Sequence, residues 1–166
     1  MRKLAITLAV STTLVLAVAA SAAVPVKGPF AGKTSLHSIN GFSDLVTFNV
    51  SGKSLKKFTF GTLGCFAISG SFPVGTDPYG DPTATAVVKG SIPVTPKGTF
   101  TITTKPVLAD PEGTVTTAVI QGSFLNSKSA TGTITITQTS NGDTCGPTRM
   151  KFTAVPGTPS SLGMNG

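Results

Sequence analysis

From residue 46 onward, apolar and polar side chains alternate with a period of two. Val46, Phe48 and Val50 alternate with Thr47 and Asn49, and Phe58 and Phe60 flank Thr59. Ala86, Val88, Ile92 and Val94 keep one parity across Gly90, as do Ala118, Ile120 and Phe124 across Gly122. Ile134 and Ile136 alternate with threonines, and Met150, Phe152 and Ala154 close the series. Such runs predict β-strands with one face in a core and the other toward water or a partner. Beyond residue 23 no window places apolar residues at helical spacing among good helix formers.

Turn chemistry separates the runs. Ser51-Gly52-Lys53, Pro96-Lys97-Gly98 and Asn126-Ser127-Lys128-Ser129 each join two strands as a hairpin, and Asn141-Gly142 leads into the last one. Pro93 lacks an amide hydrogen, so its strand lies at an edge or ends there. Two longer loops interrupt the pattern, Pro73 to Thr83 (PVGTDPYGDPT) and Lys105 to Thr114 (KPVLADPEGT). About nine short strands without helices predict an all-β domain, an antiparallel β-sandwich of immunoglobulin-like or jelly-roll topology. A β-barrel is the alternative. The chain has no Trp, so an immunoglobulin Cys…Trp…Cys signature is impossible.

The first residues add a compartment. Met1-Arg2-Lys3 is basic, Leu4 to Ala20 is largely apolar, and Ser21-Ala22-Ala23 are small. That order predicts a secretory signal peptide over residues 1–23, cleaved near Ala23. An uncleaved membrane anchor is the competing reading, since about seventeen residues is near the minimum for a span. The expected layout is a signal peptide (1–23), a β-sandwich domain (24–155) and a disordered tail (156–166) without pattern. The mature chain would be monomeric, secreted and without a further membrane span.

Charge narrows the partners. Without Arg2 and Lys3 the chain carries eleven basic and six acidic residues. Ten of the eleven are lysines scattered from Lys27 to Lys151, with Arg149 the sole arginine. Nucleic-acid sites favour arginine forks and clustered basic stripes, so nucleic acid is not an expected partner. Anionic or glycan cell-envelope polymers, or another secreted protein, fit the charge better. In an exported chain the two cysteines, Cys65 and Cys145, predict one disulfide.

Groups that do chemistry are few. His37 is the single histidine, no G-x-S-x-G elbow occurs, and no catalytic residue is assigned. Asp77 and Asp81 in DPYGD, with Asp110 and Glu112 in DPEG, offer hard oxygen ligands, so calcium is the one candidate metal and no other cofactor is implied. The D-x-[DN]-x-[DN]-G spacing is absent. Tyr79, the single tyrosine, sits among these carboxylates, and Tyr79, Asp77 and Asp81 form the candidate ligand-binding set. Thr99, Thr101 and Thr103 line one strand face, and Thr133, Thr135 and Thr137 another. On neighbouring flat strands they would form a hydroxyl array; otherwise they are solvated strand faces.

The segments LVTFNVSGKSLKKFTF, GSIPV…KGTFTI, IQGSFLNSKSATGTITI and CGPTRMKFTAV together resemble a group of small secreted β-sandwich proteins of Gram-positive bacteria. The resemblance spans roughly residues 42–155. It implies fold and disulfide and brings no active site; Phe152 stands where that group often has Trp. The expected function is a secreted or cell-envelope binding or structural module without catalysis, contacting its ligand through the 73–83 and 105–114 loops. The alternatives are a small hydrolase using the loop carboxylates and a protease-inhibitor-like protein presenting one loop.

Overall fold

The computed structural model describes residues 24–35, 44–62, 84–108, 115–140 and 143–164. Ten strands lie among them: β1 (Gly28–Thr34), β2 (Leu45–Ser51), β3 (Ser54–Thr62), β4 (Ala84–Val87), β5 (Ser91–Pro93), β6 (Thr99–Thr104), β7 (Val107–Leu108), β8 (Val115–Asn126), β9 (Ser129–Ser140) and β10 (Asp143–Pro156). Every pairing is antiparallel. The chain is all-β, as its alternation predicts.

The strands belong to one sheet in the order β6-β8-β9-β10-β1-β2-β3-β4-β7. β5 follows β4 along β3, with Leu55 opposite Ile92. It then meets β6 through a bridge between Val94 and Phe100. β7 follows β6 and pairs with β4, Ala86 facing Leu108. One hairpin therefore joins the two ends of the sheet, which curls back on itself. The expected two stacked sheets are not what the described strands form, and the barrel alternative lies nearer the observed order. Opposite walls of a curled sheet face each other across a core, so the period-two pattern is the same in both architectures.

β1 carries little alternation and is not foreseen from the sequence, yet it completes the ring between β2 and β10. Its Ala31 lies opposite Thr47 on one side and Val155 on the other. Gly32 permits this approach, because a Cβ there would collide with the Thr153 carbonyl and the Ala154 Cα. Past Pro156 the chain, expected to be a disordered tail, makes a 3-10 turn over Ser160–Leu162 and bonds back through Gly157 N–H to the Pro29 carbonyl at 2.9 Å.

Phenylalanine fills the interior. Phe30, Phe48, Phe58, Phe60, Phe100, Phe124 and Phe152 are buried and form a continuous run of ring contacts. Leu55 and Phe58 are both inside although three apart. The strand changes parity between them, with Lys57 at φ 52 and the β2–β3 register shifting opposite, as a bulge requires. In the row Phe100–Gly122–Gly132–Phe152 on β6, β8, β9 and β10, each ring lies over a glycine. A Cβ on Gly132 would stand 2.6 Å from Phe152 Cε1, and one on Gly122 would stand 2.5 Å from Phe100 Cζ. Gly132→Ala is therefore expected to cost about 3 kcal/mol through overpacking. Urea melts check this, and a loss below about 1 kcal/mol would show that the row can relax.

The meander divides its connections between two ends. At one end, β2–β3, β5–β6 and β8–β9 are joined by tight turns at Gly52-Lys53, Thr95 to Gly98 and Ser127-Lys128. Val24–Lys27 crosses the same end, Val26 N–H donating to the Ser127 carbonyl at 2.9 Å. At the other end, the connections 36–43, 63–83, 109–114 and 141–142 leave from Ser35, Thr62, Leu108 and Ser140. We refer to these as the turn end and the loop end.

Candidate functional site

The loop end gathers the two loops singled out in the sequence. The connection holding Asp77, Tyr79 and Asp81 enters β4 at Ala84, and the one holding Asp110 and Glu112 leaves β7 at Leu108. Because β4 and β7 are paired neighbours, the two loops are rooted side by side. Tyr79, Asp77, Asp81, Asp110 and Glu112 themselves lie outside the described residues, as does Cys65. At the root of the second loop, Lys105 and Val107 are exposed while Pro106 is buried, where β6 gives way to β7.

Beneath the loop end the core turns polar. Thr34, Thr62, Thr116 and Gln138 are buried there. Gln138 Nε2 donates to Thr116 Oγ1 at 3.4 Å on the adjacent strand and to Thr62 Oγ1 at 3.5 Å on β3, which is not a sheet neighbour of β9. Gln138 thus links opposite walls above the phenylalanines. It also pairs in register with Cys145 on β10. Cys65 stands three residues beyond Thr62 in the sequence, outside the described residues.

At the rim, Lys33 Nζ and Asp44 Oδ2 form an ion pair at 2.9 Å with the lysine half-exposed. Among the described residues no three His, Cys, Asp or Glu side chains cluster as metal ligands. The proposed threonine faces are separated, since β8 lies between β6 and β9. Thr99, Thr101 and Thr103 stand opposite Ser123, Gln121 and Val119, so the two threonine rows do not adjoin as one array.

Two features of the ends are absent from the sequence reading. Gln138 is one: it occupies the next inward position after Ile134 and Ile136, and a polar residue at inward parity is the available signal. The other is the position of the lysines, which look scattered along the chain. Lys27, Lys53, Lys97 and Lys128 are all exposed at the turn end, and only the strand order reveals that they share it. A shallow cleft of about 100 Å³ opens there, bounded by Val24, Gly52, Lys53, Val94 and Pro96. Comparison of the chain with family models, with curated proteins and with solved structures gave no match.

Proposed function

We propose that the chain is an exported, non-catalytic binding module of the cell envelope or exterior, which holds its ligand at the loop end. One observation carries the reading: β4–β7 pairing roots the 63–83 and 109–114 connections as neighbours on a rigid aromatic scaffold. Binding residues are commonly borne on loops held by such a frame. Tyr79 is the residue assigned to ligand contact, with Asp77 and Asp81 beside it. Export rests on the Met1–Ala23 pattern of basic, apolar and small residues. The resemblance to secreted Gram-positive β-sandwich proteins supports the same reading. The ring of pairings supports an up-and-down barrel over a two-sheet sandwich, with a Cys65–Cys145 disulfide tying the β3 exit to β10.

A second reading has its own support. Asp77, Asp81, Asp110 and Glu112 all lie in those two neighbouring loops, and calcium takes oxygen ligands of this kind from loops. The ion would then order the binding loops. The same carboxylates serve the hydrolase alternative, which needs one carboxyl held protonated as the acid and a second kept ionised. Tyr79→Ala is expected to weaken binding to the best ligand from a glycan and peptidoglycan panel at least tenfold, with the melting temperature unchanged. Undiminished binding would remove Tyr79 from the site.

A further inference from the structure

Four of the chain's lysines fall at the turn end, where no described carboxylate lies, while Lys33 pairs with Asp44 at the loop-end rim. Among the described acidic positions, Asp44 lies just ahead of β2 and Asp143 begins β10, both at the loop end; Asp77, Asp81, Asp110 and Glu112 belong by sequence to the connections 63–83 and 109–114. The turn end has lysines instead. Four of its segments carry one each, Lys27 ahead of β1, Lys53 between β2 and β3, Lys97 between β5 and β6, and Lys128 between β8 and β9, while the lysine-free segment past Pro156 leaves β10 at the same end. All four are exposed and none has a carboxylate in its own segment.

These lysines are mounted on fixed backbone. Gly98 N–H donates to the Thr95 carbonyl at 2.9 Å, and Thr95 N–H to the Thr99 carbonyl at 2.8 Å. Lys128 N–H donates to Asn126 Oδ1 at 2.8 Å. Val26 is tied to Ser127 and packs on the core. Positive charge held on short turns loses little chain entropy when it meets a surface.

Apolar side chains project from the same end. Val24 is 83% exposed and Leu125 is 66% exposed. They are the two most exposed large hydrophobic residues described, and both adjoin the lysine-bearing segments. The apolar stretch from Leu4 to Ala20 also precedes Val24 directly. A chain that retains that stretch would therefore enter a membrane from the lysine-bearing end.

We infer that the turn end is a docking face for an anionic lipid bilayer, through Lys27, Lys53, Lys97 and Lys128 around Val24 and Leu125. Lysines attract the phosphate headgroups, and the apolar tips enter the headgroup boundary, the combination that distinguishes a bilayer from a soluble polyanion. Docking in this way keeps Asp44, at the loop end, away from the anionic surface. The inference concerns the opposite end from the proposed ligand site and stands whatever the loops bind.

The test is vesicle co-sedimentation of the chain from Val24, which contains every described strand and the whole aromatic core. Vesicles of phosphatidylglycerol with phosphatidylcholine are compared with phosphatidylcholine alone. Binding is expected on the anionic vesicles only and is expected to fall steeply with salt. Replacing Lys27, Lys53, Lys97 and Lys128 with Gln should weaken it at least fiftyfold, at about fivefold per lysine. A control replaces Lys89, Lys105, Arg149 and Lys151, all exposed away from the turn end, and removes the same charge. It should change binding less than threefold. Thermal melts confirm folding of each variant, and single Lys→Gln changes replace any quadruple variant that fails to fold. Leu125→Ser should weaken vesicle binding severalfold while leaving binding to long-chain polyphosphate unchanged. Equal losses in the two quadruple variants, or no binding of the unsubstituted chain to anionic vesicles, would overturn the proposal. So would tight polyphosphate binding with no effect of Leu125→Ser on vesicles, which would identify a soluble polyanion as the occupant.

Discussion

Phe48→Ala is expected to lower the unfolding free energy by about 4 kcal/mol. The ring lies at the centre of the aromatic run, stacked on Phe30 at 5.3 Å and on Phe58 at 5.4 Å, with Phe124 edge-on at 6.5 Å. Deleting it removes buried apolar surface and breaks two stacked contacts. The neighbours are themselves rigid rings on β1, β3 and β8, so they collapse poorly into the space. Phe48→Leu keeps part of the volume and should cost about half as much. Urea denaturation of both variants checks this. A Phe48→Ala loss below about 1.5 kcal/mol would show that the core repacks freely around this position.

The second large effect belongs to the proposed Cys65–Cys145 disulfide. It would close a loop of about eighty residues, so its reduction is expected to lower stability by about 2–4.5 kcal/mol. Cys145 is paired with Gln138, Gln138 reaches Thr62, and Cys65 lies three residues further on. Digestion without reductant should release one peptide pair joining residues 65 and 145. Melts with and without reductant give the stability difference. Two alkylatable thiols in folded, exported protein would remove the bond from the account.

The core was the most legible part of the fold. Val46, Phe48, Ala86, Val88, Ile92, Ile120, Phe124, Ile134, Met150 and Phe152 are all inward, as period-two alternation dictates. The three hairpin turns lie where Gly52, Gly98 and the Asn126–Ser129 segment place them. Alternation reports only inside or outside, however, and is blind to which wall a strand joins. That is why one curled sheet and two stacked sheets read alike. β1 escaped detection for a related reason: its pairing depends on Gly32 allowing close backbone approach, and glycine carries no hydropathic signal. The parity change at Lys57 was present in the spacing of Leu55 and Phe58, but its cause is a backbone conformation.

The candidate site was legible in kind and not in arrangement. Loop composition picked out Tyr79 and the four carboxylates, while the adjoining roots of the two connections follow from β4–β7 pairing, a contact between segments distant in sequence. The occurrence of Lys27, Lys53, Lys97 and Lys128 at one end is likewise a product of topology. An antiparallel meander sends alternate connections to opposite ends, so lysines far apart along the chain come to share one. Nothing in a residue-by-residue reading reports this until the strand order is known.

The central claim is that β1 sits between β2 and β10 and that the β5–β6 hairpin joins the sheet's ends. Cross-strand nuclear Overhauser contacts measured on the folded chain test it most directly. The expected result is that residues 30–33 show contacts both to 45–48 and to 153–156, and that residues 91–93 contact 54–56 while Val94 contacts Phe100. Contacts from residues 30–33 to one neighbour alone, with no link between Val94 and Phe100, would describe an open or two-layer structure and contradict the account.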